Sequence, residues 1–334
     1  MSAPQDYDFQ APPPPPTPDA EPQAPRPTKQ LWPMAIGVFV IGVILLAGGF
    51  AGFIAGGRGA GAALCFLGVL WFALGFIRLP LVPNPEPPLS WFDRVTGIFF
   101  EPSRVFRNLR SNPNWLAAFL VVWVLTAIYS TAFIQRITPQ RIVDHTVEKT
   151  VQSFSIPPEV AEKMRSDQIE AYTNPVARVS SVLQSGVGIF AFTVIAAALC
   201  FLGILVLGGR INFWQALAAI IYAALPVVVI HKVLGLVILY LKSPDDLHPI
   251  LNQDTTLQDN LSILLSPGEQ PVLFVIAAFF GLTSFYGLWL RAKGLHLAAT
   301  RATSGAGWGV SITLFLLTML LLASFTALFP QFIS

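Results

Sequence analysis

From Leu31 onward the apolar residues of this chain do not alternate with polar ones but run in long blocks. The first is Leu31 to Ala55, with no charged side chain, and the second is Ala60 to Ile77. Comparable blocks follow at 115–134, 182–207, 213–241, 272–290 and 310–329. About 20 apolar residues of helix cross a hydrocarbon core of about 30 Å. Helix is the required form, because lipid offers backbone amides no partner. The pattern therefore predicts an all-α, polytopic transmembrane bundle of about seven spans.

Between the blocks the polar positions mark shorter elements. Residues 1–30 are proline-rich, with an unbroken run from Pro12 to Pro16, and predict an extended, disordered tail. This tail is acidic and has no basic region ahead of the first block, so no cleavable leader is expected. Residues 31–82 predict a transmembrane hairpin. Gly48, Gly52 and Gly56 recur every fourth residue, a stripe on which a second helix, or a second copy of the chain, can pack closely.

Pro102 predicts the first turn of a brief helix over 102–111, with Val105, Phe106 and Leu109 on one side and Arg104, Arg107 and Arg110 flanking them. Such a helix is expected to lie flat in the membrane interface beside anionic headgroups. Asn112 is expected to cap the next helix, and Trp115 to sit at the water boundary. Residues 137–178 are polar, with Val143, Val147, Val151 and Phe154 at helical spacing, and predict a helical cap outside the bilayer. The acidic stretch 242–270 reads as loop, because of its prolines and asparagines.

Composition narrows the function classes. With 54% apolar and 11% charged residues, one membrane domain uses most of the chain, and nothing suggests nucleic acid as a partner. Charge matters by loop rather than in sum. Arg78, Arg94, Arg104, Arg107, Arg110, Arg210, Arg291, Lys293 and Arg301 fall on one side of the spans, and the acidic loop falls on the other. The bias predicts a cytoplasmic N-terminus, with Asp254 and Ser334 outside. Cys65 and Cys200 fall within apolar blocks and read as packing residues.

Ionisable residues inside a span are functional candidates by default. The fifth block supplies Tyr222, Pro226, His231 and Lys232; at 29 residues it exceeds what the bilayer needs, and Pro226 is expected to kink it. Read functionally, His231 and Lys232 face a cavity in a transporter or channel subunit; read structurally, Lys232 snorkels to the interface. Asp245, Asp246 and His248 read as solvated loop charges rather than metal ligands. No motif of hydrolytic, redox, zinc or nucleotide chemistry is present, so no catalytic residue, metal or cofactor is expected.

The stretch from Ile98 through Phe100, Glu101, Pro102, Phe106, Arg107, Arg110 and Pro113 to Trp115 resembles the opening of the Yip domain, named for Ypt/Rab-interacting proteins. Phe213 through Pro226, with its alanine run, is similar to the middle of that domain, and Phe285 through Gly294 is similar to the end of its penultimate span. The resemblance covers about 91–329. It implies a five-helix membrane bundle with a cytoplasmic N-terminus and a non-cytoplasmic C-terminus. The hairpin 31–82 stands outside it as an addition.

Eukaryotic members bind prenylated Rab GTPases. Their Asp-Leu-x-Gly-Pro segment is absent from this chain, where Phe100, Glu101 and Pro102 stand instead, so Rab binding does not carry over. The resemblance implies a prokaryotic-type member in a cytoplasmic membrane. Such a member is expected to be non-enzymatic, organising membrane or holding an unidentified membrane or cytoplasmic protein. The candidate contact residues are Glu101, Pro102, Arg104, Phe106, Arg107, Arg110 and Trp115.

Overall fold

The computed structural model describes residues 31–52, 56–77, 79, 87–154, 156–250 and 256–330. The tail 1–30, Asp254 and Ser334, for which expectations were given, lie outside the described residues. Twelve α-helices and no strand occur among the described residues. They are α1 Leu31–Phe50, α2 Gly57–Leu74, α3 Trp91–Phe100, α4 Pro102–Leu109, α5 Leu116–Ile137, α6 Pro139–Phe154, α7 Pro158–Thr173, α8 Pro175–Val206, α9 Phe213–Leu241, α10 Pro271–Ala278, α11 Leu282–Ala298 and α12 Ser304–Leu328. Six of them (α1, α2, α5, α8, α9 and α12) are long and apolar enough to cross a membrane, and the chain is a multi-pass membrane protein. Its outer surface carries exposed Ile36, Ile44, Leu320 and Leu321, an apolar belt suited to lipid.

The block 272–290, expected as one span, is instead split. Helix α10 stops at Ala278, and α11 begins after Gly281, which has no side chain to cap it. Asp259 supplies the cap from a distant loop: one oxygen of its carboxylate accepts both the Thr283 amide and the Thr283 hydroxyl, each at 2.7 Å. A negative group at a helix N-terminus is also favoured by the dipole. Backbone pairing around Asn260 and Gly281 engages two groups that the break frees: the Leu282 amide donates to the Asp259 carbonyl, and the Phe280 carbonyl accepts from the Leu261 amide. At 17 residues, α11 is about 25 Å long, close to the thickness of the hydrocarbon core.

The hairpin packs on itself, but not through the expected stripe. Gly42 of α1 faces Gly61 of α2, Gly49 faces Gly57, and Gly68 of α2 lies on Ala35 and Phe39; a Cβ on Gly61 would stand 2.5 Å from the Leu46 amide nitrogen. Gly52 and Gly56 instead take positive φ in the turn. Nor is the hairpin an appendage. Trp71 of α2 is fully buried, with ring centroids 5.9 Å from Trp214, 6.0 Å from Phe190 and 6.3 Å from Phe213, so α2 shares the core of α8 and α9.

Helices α6 and α7 pack as a pair, called the cap below, closing Val143, Val147 and Ala161 over one another, while Phe154 is left exposed. Arg141 fastens this cap to the segment after α9 by donating to the carbonyls of Pro244 at 2.5 Å and Asp245 at 3.3 Å.

Candidate functional site

The end of the bundle where α5, α9 and α12 begin gathers most of the arginines; it is called the basic end below. Three turns are knitted together there. Arg210 and Arg301 exchange backbone hydrogen bonds. The Arg110 guanidinium donates to the Thr300 carbonyl. Gln215 donates to the Arg110 carbonyl at 2.6 Å and, with Asn212, forms a capping box at the start of α9.

On this platform sits α4, and its apolar stripe does not face lipid. Val105, Phe106 and Leu109 are at most 1% exposed. Phe106 lies on Gly294 of α11, where a Cβ would come within 2.8 Å of its ring. The stripe docks into the protein because Gly294 leaves a slot for the ring, and burial there removes it from water as fully as lipid would. The flank stays outward: Arg104 pairs with Glu101 at 3.1 Å, both well exposed, and Arg107 is exposed. Pro102 occupies the first turn of α4 as expected. Asn112 does not cap the next helix; Trp115 holds that position, with its half-buried ring stacked 5.2 Å from Phe190.

A buried pair unforeseen in the sequence locks α3 to α4. Arg94 and Asn108 are 3% and 1% exposed, and the Arg94 Nε donates to the Asn108 Oδ1 at 3.1 Å. The Asn108 side chain also donates to the Pro87 carbonyl, pinning the linker. Only the spacing between an amphipathic helix and its neighbour could have hinted at this, since arginine so near a span otherwise reads as a topology signal.

The residues expected to form one cluster in α9 are distributed among three neighbourhoods. Tyr222 is fully buried and lies against Arg94, toward the basic end. Pro226 is buried within α9, which continues unbroken through it. His231 lies nine residues beyond Tyr222, about 13 Å along the helix. Its Nε2 is 2.6 Å from the Thr283 hydroxyl and 3.9 Å from the Asp259 carboxylate. The Thr283 hydroxyl has one proton and gives it to Asp259, so it must accept from His231 Nε2–H. Burial alone would raise the Asp259 carboxyl, but the two Thr283 hydrogen bonds and His231 outweigh it and hold the group below its ordinary value. Lys232 turns away, with Nζ 4.4 Å from the centre of the Tyr129 ring, a cation–π contact inside the protein.

Beside Thr283 a cavity of about 340 Å3 opens between α5, α8, α9, α11 and α12. Phe119, Phe192, Val228, Phe279 and Phe315 dominate its wall; Thr193, Thr283, Ser284 and Arg291 are its polar members. No group of three or more His, Cys, Asp or Glu suited to a metal occurs among the described residues.

In comparisons with known proteins, the sequence model of the Yip1 domain matches residues 96–325. No curated protein and no solved structure matches the chain.

Proposed function

The chain belongs to the Yip1 domain family, and on that premise we propose that it is a non-enzymatic scaffold that organises membrane or holds a partner rather than moving a solute. One observation carries this reading. The cavity inside the bundle is walled by aromatic and aliphatic side chains, with Arg291 as its one ionisable member. A transport path for protons or anions needs several converging ionisable or polar groups reachable by water. The outward face of α3 supports a binding role. Trp91, Phe92 and Phe100 are exposed on α3, and Arg104 and Arg107 on the following α4, aromatic and basic side chains suited to headgroups or to an acidic segment of a partner.

On this reading the protein is of the prokaryotic type and resides in the cytoplasmic membrane. The basic end and the N-terminus face the cytoplasm, and the cap of α6 and α7 faces outside. The hairpin 31–82 and the domain 91–329 then work as one membrane unit. Single-cysteine labelling from each side checks the orientation: Arg301→Cys should label from the cytoplasm and Asp245→Cys from outside, and the reverse would overturn it.

A second reading, a transporter or channel subunit, is favoured by the broken α10–α11 pair, where His231, Thr283 and Asp259 converge next to the cavity. Helix breaks with polar side chains are where membrane transporters hold ions. Proteoliposomes separate the two readings. A scaffold should show no proton- or anion-dependent uptake above protein-free vesicles, while in-membrane crosslinking should trap a defined neighbour. Uptake that is lost in Lys232→Leu or His231→Gln at unchanged folded yield would replace the scaffold reading.

A further inference from the structure

At the basic end, α4, α11 and α12 enclose a second cavity, of about 310 Å3. Arg107 reaches it from α4, Lys293 and His296 from α11, and Ser304 from the first turn of α12. Among the described residues no carboxylate lines it. Arg107 is exposed and has no ion pair or side-chain hydrogen bond among the described residues. Among the described residues Lys293 is engaged only by the Trp289 ring, with Nζ 4.5 Å from its centre. His296 directs Nδ1 to the Ala302 carbonyl at 2.9 Å, which leaves Nε2 as its other polar atom. Intrahelical bonding leaves the first-turn amides of a helix free, and the Thr303 cap takes that of Ala306, so the Ser304 amide remains at the positive end of α12. Two cations from different helices thus converge with free donors on one space that no described carboxylate lines.

What lies along the helices from this space distinguishes among anions. Trp289 and Trp308 form part of its wall, one turn in from Lys293 and Ser304. A further turn in, and then another, stand Phe285 on α11 and Ile312 and Leu316 on α12, exposed by 48%, 42% and 44%. Steps of four residues keep to one helix face and rise about 6 Å each. The groove therefore runs from a basic pocket, past two amphipathic indoles, to an apolar track about two turns long. That order of cation, indole and hydrocarbon matches an amphiphile with an anionic head.

We propose that this cavity binds the phosphodiester headgroup of an anionic phospholipid, with an acyl chain laid along the groove between α11 and α12. Arg107 and Lys293 meet the phosphate, and the Ser103 and Ser304 hydroxyls and the Ser304 amide are the neutral donors. A zwitterionic lipid brings the same phosphate but adds an ammonium group next to two cations, so it binds more weakly. This site rests on the chain's being a membrane protein and not on the scaffold reading, so either can fail without the other.

The test uses full-length protein in neutral detergent, with retained lipid measured by native mass spectrometry. Phosphatidylglycerol is titrated against phosphatidylcholine of the same chain length, and inorganic phosphate is added as the free anion. The unmutated protein should retain phosphatidylglycerol in preference to phosphatidylcholine, and millimolar phosphate should not displace it. The Arg107→Gln/Lys293→Gln double variant should bind phosphatidylglycerol about 30-fold more weakly, which at 1.4 kcal/mol per factor of ten is about 2 kcal/mol, or about 1 per cation. Arg301→Gln, an exposed cation at the same end but outside the cavity, should bind as the unmutated protein does.

Equal affinity in the unmutated protein and the double variant would overturn the proposal, as would full displacement by inorganic phosphate. Should the double variant fail to fold, the unmutated protein still decides: equal retention of the two lipids refutes the site, and selective retention that Trp289→Ala/Trp308→Ala weakens upholds it.

Discussion

Replacing Phe106 by alanine separates two accounts of α4. If the apolar stripe of this helix lay in lipid, the substitution would weaken membrane contact and leave the fold intact. In the structure the ring is 0% exposed and is seated on Gly294 of α11. Its removal leaves a cavity between two helices that the Arg94–Asn108 bond and the contact from Arg110 to Thr300 hold in place. Collapse into the gap is therefore restricted, and the cost should fall at about 3–5 kcal/mol, as for buried phenylalanine elsewhere. For a domain of this size about 2–4 °C of melting temperature accompanies each kcal/mol, so the midpoint should drop by about 6–20 °C.

The assay is thermal unfolding in detergent with a thiol-reactive fluorogenic dye. In a Cys65→Ala background the one remaining thiol is Cys200, fully buried in α8, which reacts only when the bundle opens. Phe100→Ala is the control: that ring is 85% exposed one residue before the Glu101 turn, and its loss should shift stability by no more than about 0.5 kcal/mol. If Phe106→Ala melts with the unmutated protein, α4 is not docked as described.

Gly61→Ala should destabilise the hairpin by about 1–3 kcal/mol, because the new Cβ meets backbone of α1 on every side, whereas Gly59→Ala, with nothing within 4 Å, should be neutral or stabilising in the same melting assay. Acidification should loosen the cap of α6 and α7. The rings of His145 and His248 stand 5.0 Å apart; burial, with Lys149 and Arg141 nearby, lowers both pKa values, partly opposed at His145 by Glu148. His248 Nδ1 also accepts the Ile250 amide and must shed that bond to take a proton. The unfolded chain then binds more protons than the folded one below about pH 6.5, so stability falls as pH drops through that value. The midpoint should be lower at pH 5.5 than at 7.5, and the difference should shrink in His145→Gln/His248→Gln. Lys232→Leu should stay folded and melt at or above the unmutated temperature: it gives up a cation–π contact worth about 0.5–2 kcal/mol and removes an intramembrane charge that costs about 2.5–3.5 kcal/mol. A large drop in midpoint would show that the Tyr129 contact matters more than the charge costs.

The positions of the spans were legible in the sequence. The block 213–241 is α9 to the residue, and five others each overlap one long helix with ends shifted by up to seven residues, whereas 272–290 is split; whether a residue prefers lipid is a property of that residue and its close neighbours. Helical spacing in the polar stretch 137–178 was readable for the same reason, and α6 and α7 lie there. Which surface covers each apolar face was not. An amphipathic pattern says that Val105, Phe106 and Leu109 avoid water, and both lipid and Gly294 satisfy that demand. The residue that decides between them lies more than 180 positions away.

The break at Gly281 was equally hidden inside an apolar block, since its cap, Asp259, comes from the loop before it. Tyr222, His231 and Lys232 share one helix but point to three different partners, Arg94, Thr283 and Tyr129. Arg107 read as an interfacial contact and Lys293 as a topology charge until α4 and α11 brought them to one cavity. Hydropathy is additive along the chain and survives being read one residue at a time. Docking is a choice among partners distant in sequence, made by shape and by the pairing of buried polar groups, and only the tertiary structure makes it.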